Sequence, residues 1–157
     1  MIELTQMTPA EFDDYLDHAV RSYGESRIRS GQWQPGEAPE LAEKTLRDLL
    51  PDGLQTPGHQ LLAIRDPDLG RAIGYLWLGL SSHGAEVRAY IYDFVVLEEY
   101  RRRGYGKAAL QALEDKARGM GVHIIAAHVY SEDYVARALY DQIGYTVDEA
   151  TLTKLVQ

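Results

Sequence analysis

No cysteine occurs among the 157 residues. That absence removes disulfide cross-links, thiolate metal sites and cysteine nucleophiles together. Basic residues are also in the minority, 16 Lys and Arg against 24 Asp and Glu, for a formal net charge of -8. A chain with so little positive surface lacks the broad basic face that phosphate contacts require, so nucleic acid is not expected as a partner. No run approaches the ~20 apolar residues of a membrane span. The opening MIELTQMTPAEFDDYL carries neither a basic start nor the apolar core of a signal segment. The expectation is a soluble, cytoplasmic protein with no membrane partner. The five histidines show no metal-ligand spacing, so no metal is expected. What is present, 45% hydrophobic residues over this length, suffices for one domain spanning 1–157 with a core of its own.

Punctuation along the chain divides it into elements without a linker or repeat. IEL at residues 2–4 reads as a short strand. Thr8 as N-cap and Pro9 at the first helical position open a helix whose Phe12, Tyr15, Leu16 and Ala19 share one apolar face. After QWQPGEA a second helix, PELAEKTLRDLL, runs to the stop signal PDGLQTPG. HQLLAIR, AIGYLWLGL and EVRAYIYDFVV read as an antiparallel meander. A helix from about Gly104, the strand HIIAAHV, the helix DYVARALYDQIG and two short strands around Tyr145 and Leu152 complete the pattern. The class is α+β, helices flanking a mixed, mostly antiparallel central sheet of about seven strands.

One stretch runs against the charge of the whole. In VVLEEYRRRGYGKAALQAL, Arg101, Arg102, Arg103 and Lys107 surround Gly104 and Gly106 where a helix begins. The first N–H groups of a helix have no internal partner and carry the positive end of its dipole. Glycines there let a bulky anion reach those amides. The combination reads as a diphosphate cradle, the bland alternative being a solvated arginine run before an ordinary helix. A Walker loop requires Ser or Thr after the lysine, and Lys107 is followed by Ala108. A dinucleotide fingerprint requires a shorter gap after the strand and an acidic residue at the end of the next one, which instead ends AAHVY.

RRRGYG resembles the Arg/Gln-x-x-Gly-x-Gly/Ala signature of the GNAT superfamily of acetyl-CoA-dependent N-acyltransferases. DYVARALYDQIGY is similar to that superfamily's second signature, Asn-x-x-Ala-x-x-Leu-Tyr-x-x-x-Gly-Phe/Tyr. The element order, with two helices between the first two strands, matches as well, so the likeness covers essentially the whole chain. GQW, LLPDGLQTPGHQ and YIYDF further resemble a group of small bacterial acetyltransferases. The resemblance implies a GNAT fold with a splay between strands four and five, and acetyl-CoA as co-substrate. It implies that the amides from Arg102 through Arg103, Gly104, Tyr105 and Gly106 to Lys107 hold the CoA diphosphate, with Arg101 as the first signature residue. Backbone groups of Phe94, Val95 and Val96 would pair with pantetheine, and those of Val95 or Val96 would polarise the acyl carbonyl. A bulge in this strand is the family's means of opening the splay.

The same likeness implies that Tyr140 contacts the cofactor and donates a proton to the leaving thiolate, which a phenol can do as general acid. Its alternative is a tyrosine packed on the helix face beside Leu139 and Ile143. Asp133 stands where the signature has Asn; a carboxylate cannot donate as an amide does, and its other role is to cap the helix starting at Tyr134. Where several members place a basic glutamate, this chain has Tyr90 and Tyr92, two residues apart on one strand face, with Asp93 expected on the other. His128, five residues before Asp133, is then the base candidate, because imidazole can accept a proton near neutral pH. Tyr23, Trp33 and Trp77 are candidate walls of the acceptor pocket, and Glu25, Glu37 or Glu40 candidate attractors of an amine. The expected reaction moves acetyl from CoA to a primary amine, a small molecule or a peptide, by direct attack in a ternary complex. A homodimer is compatible with this reading. The competing readings are a non-catalytic acyl-CoA-binding or sensing module, and an interaction domain with no cofactor.

Overall fold

A computed structural model describes residues 1–129, 133–148, 152, 154 and 156. They fall into two compact units, 1–127 and 128–157, each described by itself below.

The first unit opens with β1 (Glu3–Gln6) and α1 (Pro9–Arg29). Thr8 caps α1 reciprocally: its hydroxyl accepts from the Glu11 N–H at 3.1 Å, and the Glu11 carboxylate accepts from the Thr8 N–H at 2.9 Å. α2 (Ala38–Leu49) follows, then the strands β2 (His59–Asp66), β3 (Arg71–His83) and β4 (Glu86–Val96), the helix α3 (Tyr105–Gly119) and β5 (Ile124–Ala127). The sheet order is β1-β2-β3-β4-β5, antiparallel up to β4, with β5 parallel to β4 after the α3 crossover.

Alternation along the strands splits the core into two layers. Leu61, Ala63, Tyr75 and Trp77 pack with Tyr15 and Ala19 of α1 and with Leu46 of α2. Leu62, Leu76, Leu78, Ala89 and Ile91 have the opposite phase and are equally buried, as are Ala109, Leu110, Leu113 and Ala117 of α3. Each leucine or isoleucine among them contributes about 1.5–3 kcal/mol of hydrophobic stabilisation when fully buried, and each alanine less.

The second unit contains α4 (Tyr134–Gln142), capped by Asp133, whose Oδ1 accepts from the Ala136 N–H at 3.1 Å. Tyr140 is buried and meets Tyr145 edge to face, ring centroids 4.9 Å apart.

Two expectations need correction. The described residues form five strands rather than about seven: residues 143–147 run as a turn and irregular chain, and the strand expected around Leu152 falls largely outside the described residues. HIIAAHV is a strand only over Ile124–Ala127, because β5 pairs just four residues of β4, from Arg88↔Ile124 to Ile91↔Ala127. His128 therefore follows the strand instead of closing it, and it is exposed.

Candidate active site

The arginine-glycine stretch forms a bend that leads straight into α3. After β4 a single 3-10 turn, Glu98–Tyr100, carries the chain to Arg101 in extended conformation. Arg102 then adopts φ +64, the one non-glycine residue in the left-handed region among those described. Such a conformation costs of order 1–3 kcal/mol and persists where the surroundings over-determine it. Gly104 follows at φ +80 and ψ 5 as the N-cap, with no side chain capping the helix. A left-handed residue followed by a helical one curls successive N–H groups toward a common point, which is an anion-binding concavity. From Arg102 to Lys107 these donors have no backbone acceptor among the described residues. A Cβ placed on Gly104 would meet no atom within 4 Å, so the space before the amides is open.

Neighbouring rings hold this bend to the sheet. Buried Tyr100 lies beneath Arg103 and Arg71, whose guanidinium carbons are 5.9 and 5.7 Å from its ring centre. Tyr105, the first residue of α3, donates its hydroxyl to Asp66 Oδ2 at the end of β2, 2.8 Å away. That bond holds the Asp66 carboxyl below its usual range and raises the Tyr105 phenol.

Beyond Ile91, β4 runs five more residues with β3 on one side and no described strand on the other. The Leu97 N–H donates to the Ile73 carbonyl at 2.9 Å, and this sets the phase of the antiparallel ladder. Hydrogen-bonded pairs alternate with non-bonded ones, so Tyr75/Val95 is bonded while Leu76/Phe94 and Gly74/Val96 are not. The expectation for Val95 is thereby corrected: its backbone faces β3, and the groups aimed at the open edge belong to Phe94 and Val96. At the cradle end, Arg101 Nε donates to the Val96 carbonyl at 2.9 Å, so the first signature arginine braces the strand terminus.

The register of β3 and β4 shifts between Trp77↔Asp93 and Leu78↔Ile91, leaving Tyr92 as an extra residue. This bulge lies where β5 stops pairing. It also reverses the expected facing of Asp93. Tyr92 stacks on Trp77 at 4.7 Å and 16°, and Asp93, opposite the same Trp77, accepts a hydrogen bond from the Tyr15 hydroxyl at 2.7 Å. Tyr90, Tyr92 and Asp93 thus share the face packed by α1 and α2. Burial, together with the charge of Asp93 and the hydrogen bond to it, holds the Tyr15 phenol well above its ordinary range, so it remains a proton donor. Sequence reasoning missed this pair. The available signal was a lone Asp within YIYDFVV, a residue depleted from strands unless a bulge or a site calls for it.

The other candidates separate. Trp77 is buried in the core and forms the floor beneath Tyr92, not a wall. Tyr23 and Trp33 meet edge to face at 5.4 Å near the end of α1, with Arg27 over the Tyr23 ring and bonded to its hydroxyl at 3.0 Å, so this cluster presents a cation. Glu25, Glu37 and Glu40 are exposed, and Glu37 accepts from the Gln34 N–H at 3.0 Å. Phe94, Val95, Val96 and the whole 101–107 stretch lie in the first unit, while His128, Asp133 and Tyr140 lie in the second.

Comparison with known proteins decides the family. The sequence profile of the Acetyltransferase (GNAT) family matches residues 15–145. The chain belongs to the GNAT acetyltransferases. It is 37% identical over 155 residues to the uncharacterized N-acetyltransferase YycN of Bacillus subtilis, covering 98% of this chain and 97% of YycN. It is 31% identical over 151 residues to the N-acetyltransferase YdgE of the same organism, covering 96% of each chain. The crystal structure of YycN superposes with a TM-score of 0.90 over 100% of this chain and 99% of that one, at 36% identity. An acetyl transferase from Pyrococcus furiosus shares the fold at a TM-score of 0.70 and 19% identity, covering 99% of this chain and 100% of its own. No described helix of this GNAT protein is long and apolar enough to cross a membrane. No described group of three or more His, Asp or Glu side chains is arranged to hold a metal.

Proposed function

We propose that the protein transfers an acetyl group from acetyl-CoA to a primary amine by direct attack of the amine in a ternary complex. One observation carries this reading. The amides from Arg102 to Lys107, which have no backbone acceptor among the described residues, adjoin a strand edge at which the Phe94 backbone and the Val96 N–H face no described strand.

The residues present fit the cofactor. The α3 amides and the charges of Arg102, Arg103 and Lys107 suit a diphosphate. The open edge of β4 suits an extended arm bearing amides, which it can bind as an added strand. When bound, acetyl-CoA supplies an activated acyl thioester. The Phe94 and Val96 N–H groups, fixed by the strand, are donors for the carbonyl oxygen as it gains charge. Val96 is the nearer of the two to the cradle. Tyr140 is proposed as the proton donor to the departing thiolate and as a cofactor contact, as its place in the family's second signature implies. His128 is proposed to take the proton released by the amine, directly or through water. Asp133 already caps α4, and contact with the cofactor would use its second oxygen.

Thioester consumption tests this reading, with purified protein, acetyl-CoA and a mixed panel of amino acids, polyamines, aminoglycosides, arylalkylamines and peptide N-termini, alongside Tyr140→Phe. The expected result is amine-dependent release of CoA that falls about 10- to 100-fold in the variant. Tight binding of acetyl-CoA without turnover across the panel would instead indicate a sensing module. Absence of binding would overturn the cradle itself.

A further inference from the structure

The β4 bulge brings together groups that neither signature uses. Tyr92 lies flat on Trp77, centroids 4.7 Å apart. It meets His59 at 5.4 Å and Tyr90 edge to face at 5.0 Å. Trp77 Nε1 donates to His59 Nδ1 at 3.0 Å and fixes both rings from below. Gly79 makes the arrangement possible, since a Cβ there would overlap the Tyr92 ring. Although packed on its inner side, Tyr92 remains 42% exposed, an aromatic shelf open to solvent.

Asp93, the next residue, is half-buried on the same face. Its one hydrogen-bond donor among the described residues is the Tyr15 hydroxyl, and no described cation lies within ion-pairing distance of it. An ionised carboxylate accepts about four hydrogen bonds, so most of its capacity is unused. Further along this face the next carboxylate, Glu86, is already paired with Arg88 at 3.0 Å. Along β4 this face therefore offers one carboxylate outside an ion pair beside several rings, a poor match to a polycation needing several carboxylates and a good match to one ammonium on a flat body.

Resting on the acetyl-transfer reading, we infer that the acceptor is a primary monoamine on an aromatic or planar apolar body, its ammonium received by Asp93 and its body lying on Tyr92. Tyr15 is a positioning residue, holding the carboxylate toward the incoming cation.

Rates with 2-phenylethylamine, ethylamine and spermidine, together with a cofactor-free titration, test this assignment. In the full chain carrying Trp33→Phe, Trp77 is the sole indole, and 2-phenylethylamine is expected to quench it saturably. In the acetyl-transfer assay kcat/KM for 2-phenylethylamine is expected to exceed that for the other two amines by about tenfold or more. Tyr92→Leu should reduce that ratio to about threefold or less while the circular dichroism spectrum is retained. Saturable quenching with no turnover would leave the shelf standing and defeat the transfer reading. Turnover favouring spermidine or ethylamine, or a ratio unmoved by Tyr92→Leu, would overturn the shelf and leave transfer standing. Should Tyr92→Leu not fold, the wild-type preference and the Trp77 titration decide the matter alone.

Discussion

The cradle at the start of α3 and the acceptor face at the β4 bulge lie on consecutive parts of the chain, yet they are built in opposite ways. The cradle is local. Its charges, its left-handed residues and its open amides all fall within residues 101–107. The acceptor face is assembled from four elements: Tyr15 of α1 reaches Asp93 of β4 across 78 positions, and His59 of β2 and Trp77 of β3 support Tyr92. A generic anion can be bound by main chain alone, whereas choosing among amines requires side chains converging from several places.

Substitutions that touch one region and spare the other sharpen this contrast. The largest effect is expected for Gly104→Val, because a β-branched residue at φ +80 is strained even though space for its side chain exists. At about 1–3 kcal/mol, affinity for acetyl-CoA should fall roughly 10- to 100-fold by calorimetry. Quenching of Trp77 by 2-phenylethylamine should survive. Tyr15→Phe is the converse case. It removes the donor to Asp93 and should cost about 1–3 kcal/mol of stability in urea unfolding. Amine KM should rise several-fold while affinity for acetyl-CoA is preserved. An equal loss of both affinities in either variant would break the proposed division between the two regions.

The smallest effect concerns His59. Burial disfavours its charged form and lowers its pKa below the ordinary value of about 6.5. As pH falls, the unfolded chain then takes up the proton first, so the stabilising contribution is complete above about 6.5 and fades as pH drops through the lower folded-state value. Protonation of Nδ1 also breaks the bond from Trp77 Nε1. The indole N–H resonance of Trp77 should shift with a midpoint below 6.5, together with a slight loss of stability; a midpoint above 6.5 would contradict this account.

The same division explains what could be read in advance. The Thr8 N-cap, the meander, the boundaries of EVRAYIYDFVV and the glycine-led start of α3 follow from short-range patterns, and the structure reproduces them. The facing of Asp93 does not, because period-two alternation holds only until an extra residue enters the ladder, and that residue shows only against its partner strand. The phase placing Phe94 and Val96 at the free edge is likewise a property of the β3–β4 pair. The extent of β5 is that of its pairing with β4, from Arg88 to Ile91, and not that of the apolar run HIIAAHV.

The most direct test is amine-dependent release of CoA by wild-type protein and Asp93→Asn with acetyl-CoA and 2-phenylethylamine, with acetyl-CoA affinity measured in parallel. The account predicts release by the wild type, a drop in kcat/KM of about tenfold or more in the variant, and unchanged affinity for acetyl-CoA. Release undiminished by Asp93→Asn, or no amine-dependent release by the wild type, would contradict it.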